Sequence, residues 1–88
     1  MGGWNATGTR VLLGSTIVTE PRVVLVGITW TAQTRTVTTT RAEWRGLTEA
    51  GAAGKAATAS YTITARERVN ESNEWRVREE LIAYSAWA

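Results

Sequence analysis

The sequence predicts an α+β domain: a mostly antiparallel sheet of about five strands with one Ala-rich helix, in the order β-β-β-α-β-β. Three observations carry that expectation. The first 44 residues hold apolar and β-branched runs separated by short polar breaks, Thr recurs at 34, 36, 38, 39 and 40, and six Ala fall between 50 and 59. β-Branched side chains fit a pleated surface and lose rotamer freedom in a helix, whereas Ala loses none.

Residues 1–9, with Gly2, Gly3 and Gly8 around Trp4, read as a flexible N-terminal arm of a single domain spanning residues 1–88. Arg10 to Val18 reads as the first strand, interrupted at Gly14-Ser15. Thr19-Glu20-Pro21-Arg22 supplies a turn, because proline presets φ and removes a ladder donor. Arg22 to Thr31 is the clearest strand, and Thr34 to Trp44 the third. Thr48 stands as an N-cap with Glu49 in the positive first turn, so the Ala-rich stretch to Ser60 predicts about three helical turns. Gly51 and Gly54 each cost about 1 kcal/mol there, and with Thr58 they make a small-residue stripe suited to lying flat on a sheet.

Tyr61 to Val69 alternates again, and Asn70-Glu71-Ser72-Asn73 forms a turn. The segment 74–87 fits either a helical stripe (Val77, Leu81, Tyr84) or a strand face (Trp75, Val77, Leu81, Ala83, Trp87); the Asn-rich turn favours a closing hairpin. Two registers compete in it. One sets Glu67 opposite Arg76. The other, shifted by one, joins Val69 to Trp75 and Ile63 to Leu81, and is favoured because apolar burial outweighs the repulsion of exposed like charges. It gathers Arg66, Arg68, Arg76 and Arg78 into one basic patch.

Composition excludes much chemistry. The 88 residues contain no Cys, His, Phe or Asp; all eight acids are Glu and nine of the ten bases are Arg. Zinc centres, thiol nucleophiles, imidazole bases and disulfides are therefore not expected, and neither is a cofactor or a small-molecule substrate. Gly8 to Gly14 and Gly51 to Lys55 depart from the phosphate-loop spacing. The adjacent Glu79 and Glu80 point to opposite sides of a strand and cannot cooperate as acid and base. The reading is of a protein that is not an enzyme. The longest apolar run, Val23 to Ile28, is far short of the ~20 residues of a membrane helix. The net charge is only +2 and Arg alternates with Glu, a weak footprint for nucleic acid.

Five Trp in so short a chain point outward from a private core. Trp is enriched at interface anchors, and Trp4 and Trp87 lie near the chain ends. The strand 22–31 is apolar on both faces, with Val24, Val26, Ile28 and Trp30 on one and Val23 and Leu25 on the other. One helix covers one side of a sheet, so another subunit is expected to bury the remainder. Val24, Val26, Ile28, Trp30, Trp44, Trp75 and Trp87 are the candidate interface residues. Arg66, Arg68, Arg76 and Arg78 would meet an acidic neighbour or nucleic acid.

Glu43-Trp44-Arg45-Gly46-Leu47-Thr48, followed by an Ala-rich helix, resembles small uncharacterised proteins encoded among bacteriophage and prophage structural genes. The segment Arg68-Val69-Asn70 through Trp75-Arg76-Val77 is similar to their final hairpin, and the resemblance covers about residues 41–80. It implies a virion component of tail or neck rather than capsid, made in the bacterial host cytoplasm and present in many copies. Its expected partners are copies of itself and other virion proteins. It carries over no catalytic residue. The rival expectation is a small nucleic-acid-binding module using those arginines with Trp44 and Trp75; a regulatory inhibitor of a host protein is a third.

Overall fold

In a computed structural model, which describes residues 4–88, the chain forms one antiparallel sheet and one short helix. The elements are β1 (Thr9–Val26), β2 (Thr29–Leu47), α1 (Glu49–Gly54), β3 (Thr62–Arg68) and β4 (Trp75–Tyr84). The strand order is β1-β2-β4-β3.

Four strands replace the expected five because two boundaries fall elsewhere. The chain does not turn at Thr19–Arg22. β1 runs straight through Pro21, which pairs with Thr34. The reversal comes instead at Gly27-Ile28, between the closing pair Val26 and Thr29. Gly27 has φ +63, and a positive φ at the first of two loop positions suits the twist of a two-residue hairpin. Counting alternate pairs back from Val26 places Pro21 at a position whose backbone nitrogen faces away from β2. A proline there costs no ladder hydrogen bond.

The helix forms where expected but is six residues long rather than three turns. Thr48 caps it, its hydroxyl oxygen accepting from the Gly51 N–H at 3.0 Å. Arg66 stops it. Its guanidinium donates to the carbonyls of Ala52 at 3.0 Å and Lys55 at 3.1 Å, the acceptors a longer helix would have used.

The expected flexible start divides in two. Residues 1–3 lie outside the described residues, whereas Asn5 is tied down. Its N–H donates to Gly46 O and its carbonyl accepts from Thr48 N–H, both at 3.0 Å.

The sheet has a core face and a charged face. On β2 the even-numbered residues 30–44 share the core face and the odd-numbered residues 29–45 the charged face. A bulge between Leu12 and Gly14 switches the parity of β1, so Arg10 and Leu12, then Ile17, Val23 and Leu25, all point to the core face. At the base of the sheet, α1 and the loop after it cover that face. Leu47, Ala52 and Val77 form the fully buried cluster, with Trp44, Ile63 and Trp75 packed against it.

Beyond this base the β1–β2 hairpin continues as an arm. β4 reaches only Val37 through its Tyr84 partner, and the tail adds hydrogen bonds between Ser85 and Thr36 and a reciprocal pair between Ala88 and Thr34. From there to the turn, β1 and β2 have only each other. The molecule measures 68 × 18 × 17 Å with a radius of gyration of 18.9 Å, against about 12 Å for a compact chain of this length.

Candidate functional site

On the charged face at the base, Glu43 sits between two arginines. Burial pushes its carboxyl up, but hydrogen bonds from Arg45 and Arg78, and the positive charge nearby, outweigh that and hold it below its ordinary value. Arg45 Nε lies 2.6 Å and Arg78 Nε 3.3 Å from its oxygens. Around it Arg78 also meets Glu67 at 2.8 Å, Arg76 meets Glu74 at 3.3 Å and Arg41 meets Glu80 at 3.5 Å. Of these, Arg41, Glu43, Arg45, Arg76, Arg78 and Glu80 line an open concavity of about 500 Å³. Each of the four arginines faces a carboxylate, in the lining or in Glu67 and Glu74 beside it, so none is left without an acidic partner. A general acid needs a carboxyl held protonated near neutral pH; Glu43 is held the other way.

The four-arginine patch is corrected by the register of the β3–β4 hairpin. Glu67 lies opposite Arg76, Arg66 opposite Val77 and Arg68 opposite Trp75. Strand alternation therefore puts Arg66 and Arg68 on the side opposite Arg76 and Arg78. The disfavoured register wins for two reasons that the apolar count leaves out. The loop closes with the Val69 N–H donating to Glu74 O at 2.9 Å and Ser72 bridging Val69 and Glu74. In addition, Arg66 is needed on the core side to cap α1.

The segment 74–87, left between helix and strand, is β4 from Trp75 to Tyr84. The tryptophans then separate into groups. Trp44 and Trp75 are half-buried against the base cluster. Lys55 caps the Trp44 ring at 3.9 Å. These two are core walls of this chain. Trp87 lies on the charged face, stacked under Arg22 at 4.2 Å and Arg35 at 4.5 Å, while Arg35 also covers Tyr84 at 4.2 Å. The tail so straps the root of the arm.

The expected face of Val24, Val26, Ile28 and Trp30 also changes. The turn at Gly27-Ile28 splits that run, leaving Val24 and Val26 on the charged face and Trp30 on the core face opposite Leu25. Ile28 stands at the tip and is 97% exposed. The expectation passed over Ile17 and grouped Val23 and Leu25 away from Trp30, although all four share the core face of the arm. The signal for this was present in the sequence: every charged residue between 15 and 40 (Glu20, Arg22, Arg35) becomes co-facial once the two strands are joined by a two-residue turn.

That gives the arm an inverted character. Its charged face is internally satisfied: Glu20 pairs with Arg35 at 2.7 Å, and Arg22 donates to the Gln33 side chain at 2.7 and 2.9 Å. Glu20, Val24, Thr31, Gln33 and Arg35 are all half-buried there. On the other face Thr19, Pro21, Val23, Leu25, Trp30, Ala32, Thr34 and Thr36 are all exposed. Water favours the reverse arrangement.

Comparison with protein-family models, curated proteins and solved structures finds no match.

Proposed function

We propose that the protein is a non-catalytic structural building block that acts by self-assembly. The observation that carries this reading is the arm. A lone two-stranded hairpin is marginal in water, yet this one projects from a base whose fully buried apolar residues are only Ala42, Leu47, Ala52 and Val77 among those described. It also exposes Ile17, Val18, Val23, Leu25, Val26, Ile28 and Trp30. Burying such side chains yields about 1.5–3 kcal/mol each, which a partner can supply and the chain's own short helix cannot.

The setting we propose is a bacteriophage particle, in the tail or neck rather than the capsid, with copies of this chain and other virion proteins as neighbours. That placement rests on the resemblance of Glu43–Thr48 and of the closing hairpin to phage structural proteins. The nucleic-acid alternative loses support from the arginines: Arg76 and Arg78 are matched by Glu43, Glu67 and Glu74, and Arg66 is spent on the carbonyls after α1, on the other side of the sheet. Trp44 and Trp75, which would have stacked on bases, pack against the base cluster.

Light scattering on a sizing column at micromolar concentration tests the reading. A multimer that persists from low to high salt is expected; a stable soluble monomer overturns it. Steeply salt-sensitive binding of single-stranded DNA would favour the alternative.

A further inference from the structure

The self-assembly reading leaves open which surface does the work, and the arm has two faces, an edge and a tip. We infer that the uncharged core face of the arm, centred on Val23, Leu25 and Trp30, packs against the same face of a second copy.

Continuity is the first argument. This face is the prolongation of the one that α1 buries at the base, where Trp44, Val77 and Ile63 lie on it. A six-residue helix is about 9 Å long, while the 19 residues of β2 extend for about 60 Å. The helix covers the base and stops. The remaining strip has the residue types of a covered sheet: Ile17, Pro21, Val23 and Leu25 on β1, with Trp30 and Ala32 across from them on β2.

Charge is the second. Among the described residues, the core-face positions from 15 to 25 on β1 and from 30 to 40 on β2 are Ser, Thr, Pro, Ala and apolar residues, with no charge. The arm's charges all lie on the opposite face, where Glu20 pairs with Arg35 and Arg22 is hydrogen-bonded to the neutral Gln33 side chain. A surface that meets itself about a two-fold axis must avoid placing like charges together, and an uncharged strip does so in every register. The charged face is less suited. It is occupied at its root by the Trp87 strap, and it would set Arg22 or Glu20 against its own copy wherever either lies near the two-fold axis.

The open edge of β1 is less suited on its own chemistry. Pro21 directs its backbone nitrogen outward, where an added strand would need an N–H, and so interrupts the edge at its middle. Area is the fourth consideration. With Leu12, 65% exposed on the same face, the strip is about 50 Å long and about 10 Å wide, roughly 500 Å² per copy. Two copies then bury roughly the 1,000 Å² that a specific contact needs.

Two double variants matched in charge and exposure test the face. Val23→Glu with Leu25→Glu alters core-face positions that are 63% and 54% exposed, and Val18→Glu with Val26→Glu alters charged-face positions that are 60% and 57% exposed. Light scattering at one micromolar concentration is expected to show wild type and the charged-face variant as the same multimer. The core-face variant should fall to the 9.6 kDa monomer, with circular dichroism showing that the β structure of the base is still folded. Should that variant fail to fold, Thr19→Lys on the same exposed face replaces it with the same expectation. A monomeric wild type overturns both this inference and the self-assembly reading on which it rests. A multimer that the charged-face pair dissolves, or that the core-face pair leaves whole, overturns the face assignment alone and leaves self-assembly standing.

Discussion

Arg10 on β1 and Glu79 on β4 meet at 2.8 Å beneath the loop that follows α1. The carboxylate is fully buried and also accepts from the Thr58 N–H at 2.9 Å and the Thr58 hydroxyl at 2.7 Å. The arginine in turn lies 4.7 Å from the centre of the Tyr61 ring. Two strands that are not neighbours in the sheet, and a loop with no regular structure, are thereby joined through one side chain. Around so small an apolar cluster this polar bolt is a main support of the base.

Removing one member of the pair should cost more than removing both. Glu79→Ala leaves Arg10 and the Thr58 N–H without their acceptor, and about 3 kcal/mol of stability should go with it. Arg10→Met should cost at least as much, because it leaves the fully buried Glu79 carboxylate without its counter-charge. Urea unfolding of the two single variants and the double variant measures this. Coupling of at least about 1 kcal/mol is expected for groups in direct contact.

Acid should loosen the base. Burial pushes the Glu79 carboxyl up, but the hydrogen bonds from Thr58 and Arg10 more than compensate and lower it from its ordinary 4.5; Glu43 shifts in the same direction. With a depressed folded-state pKa, the unfolded chain binds more protons in that range, so stability rises with pH. The contribution is whole above the ordinary value of 4.5 and drains away as pH falls through the lowered one. Thermal unfolding followed from pH 7 to pH 3 should show the midpoint dropping below that value, with a shallower drop in Glu79→Gln.

The two glycines of α1 should respond to alanine with opposite signs. At Gly54 a Cβ would meet nothing within 4 Å, so Gly54→Ala should gain about 0.5–1 kcal/mol from helix propensity and reduced chain entropy. At Gly51 a Cβ would stand 2.6 Å from the Ala6 Cα, which is backbone and cannot swing aside. Gly51→Ala should lose about 1–3 kcal/mol by overpacking. Melting temperatures of the two variants against wild type decide the matter.

The strap can be undone from its end. Trp87→Ala removes the ring beneath Arg22 and Arg35, at a cost of about 0.5–1 kcal/mol for each lost stack. Thr34 donates its N–H to Ala88 O at 3.0 Å and Thr36 its own to Ser85 Oγ at 2.8 Å. Faster hydrogen exchange is therefore expected at those two amides, with exchange in β3 unchanged. Unaltered protection at Thr34 and Thr36 would show that the tail is held without its tryptophan.

Sequence alone determined the class of the fold: a mostly antiparallel sheet, a Thr48-capped helix after it and a closing hairpin at the Asn-rich turn. Those features follow from local chemistry. β-Branched residues, a capping hydroxyl and turn formers act within a few residues of themselves. What the tertiary structure decided was every question of register and boundary. Pro21 reads locally as a turn, and only its place on an edge strand, with its nitrogen directed outward, lets β1 run through it. Arg66 reads as part of a basic patch until α1 supplies carbonyls that draw it to the other side. Arg10 and Glu79 are 69 residues apart, and no local pattern joins them. The arm's division into a charged, satisfied face and an uncharged, open one belongs to both levels. The alternation is written in the sequence, but it becomes a surface only when Gly27-Ile28 turns the chain and one strand is laid beside the other.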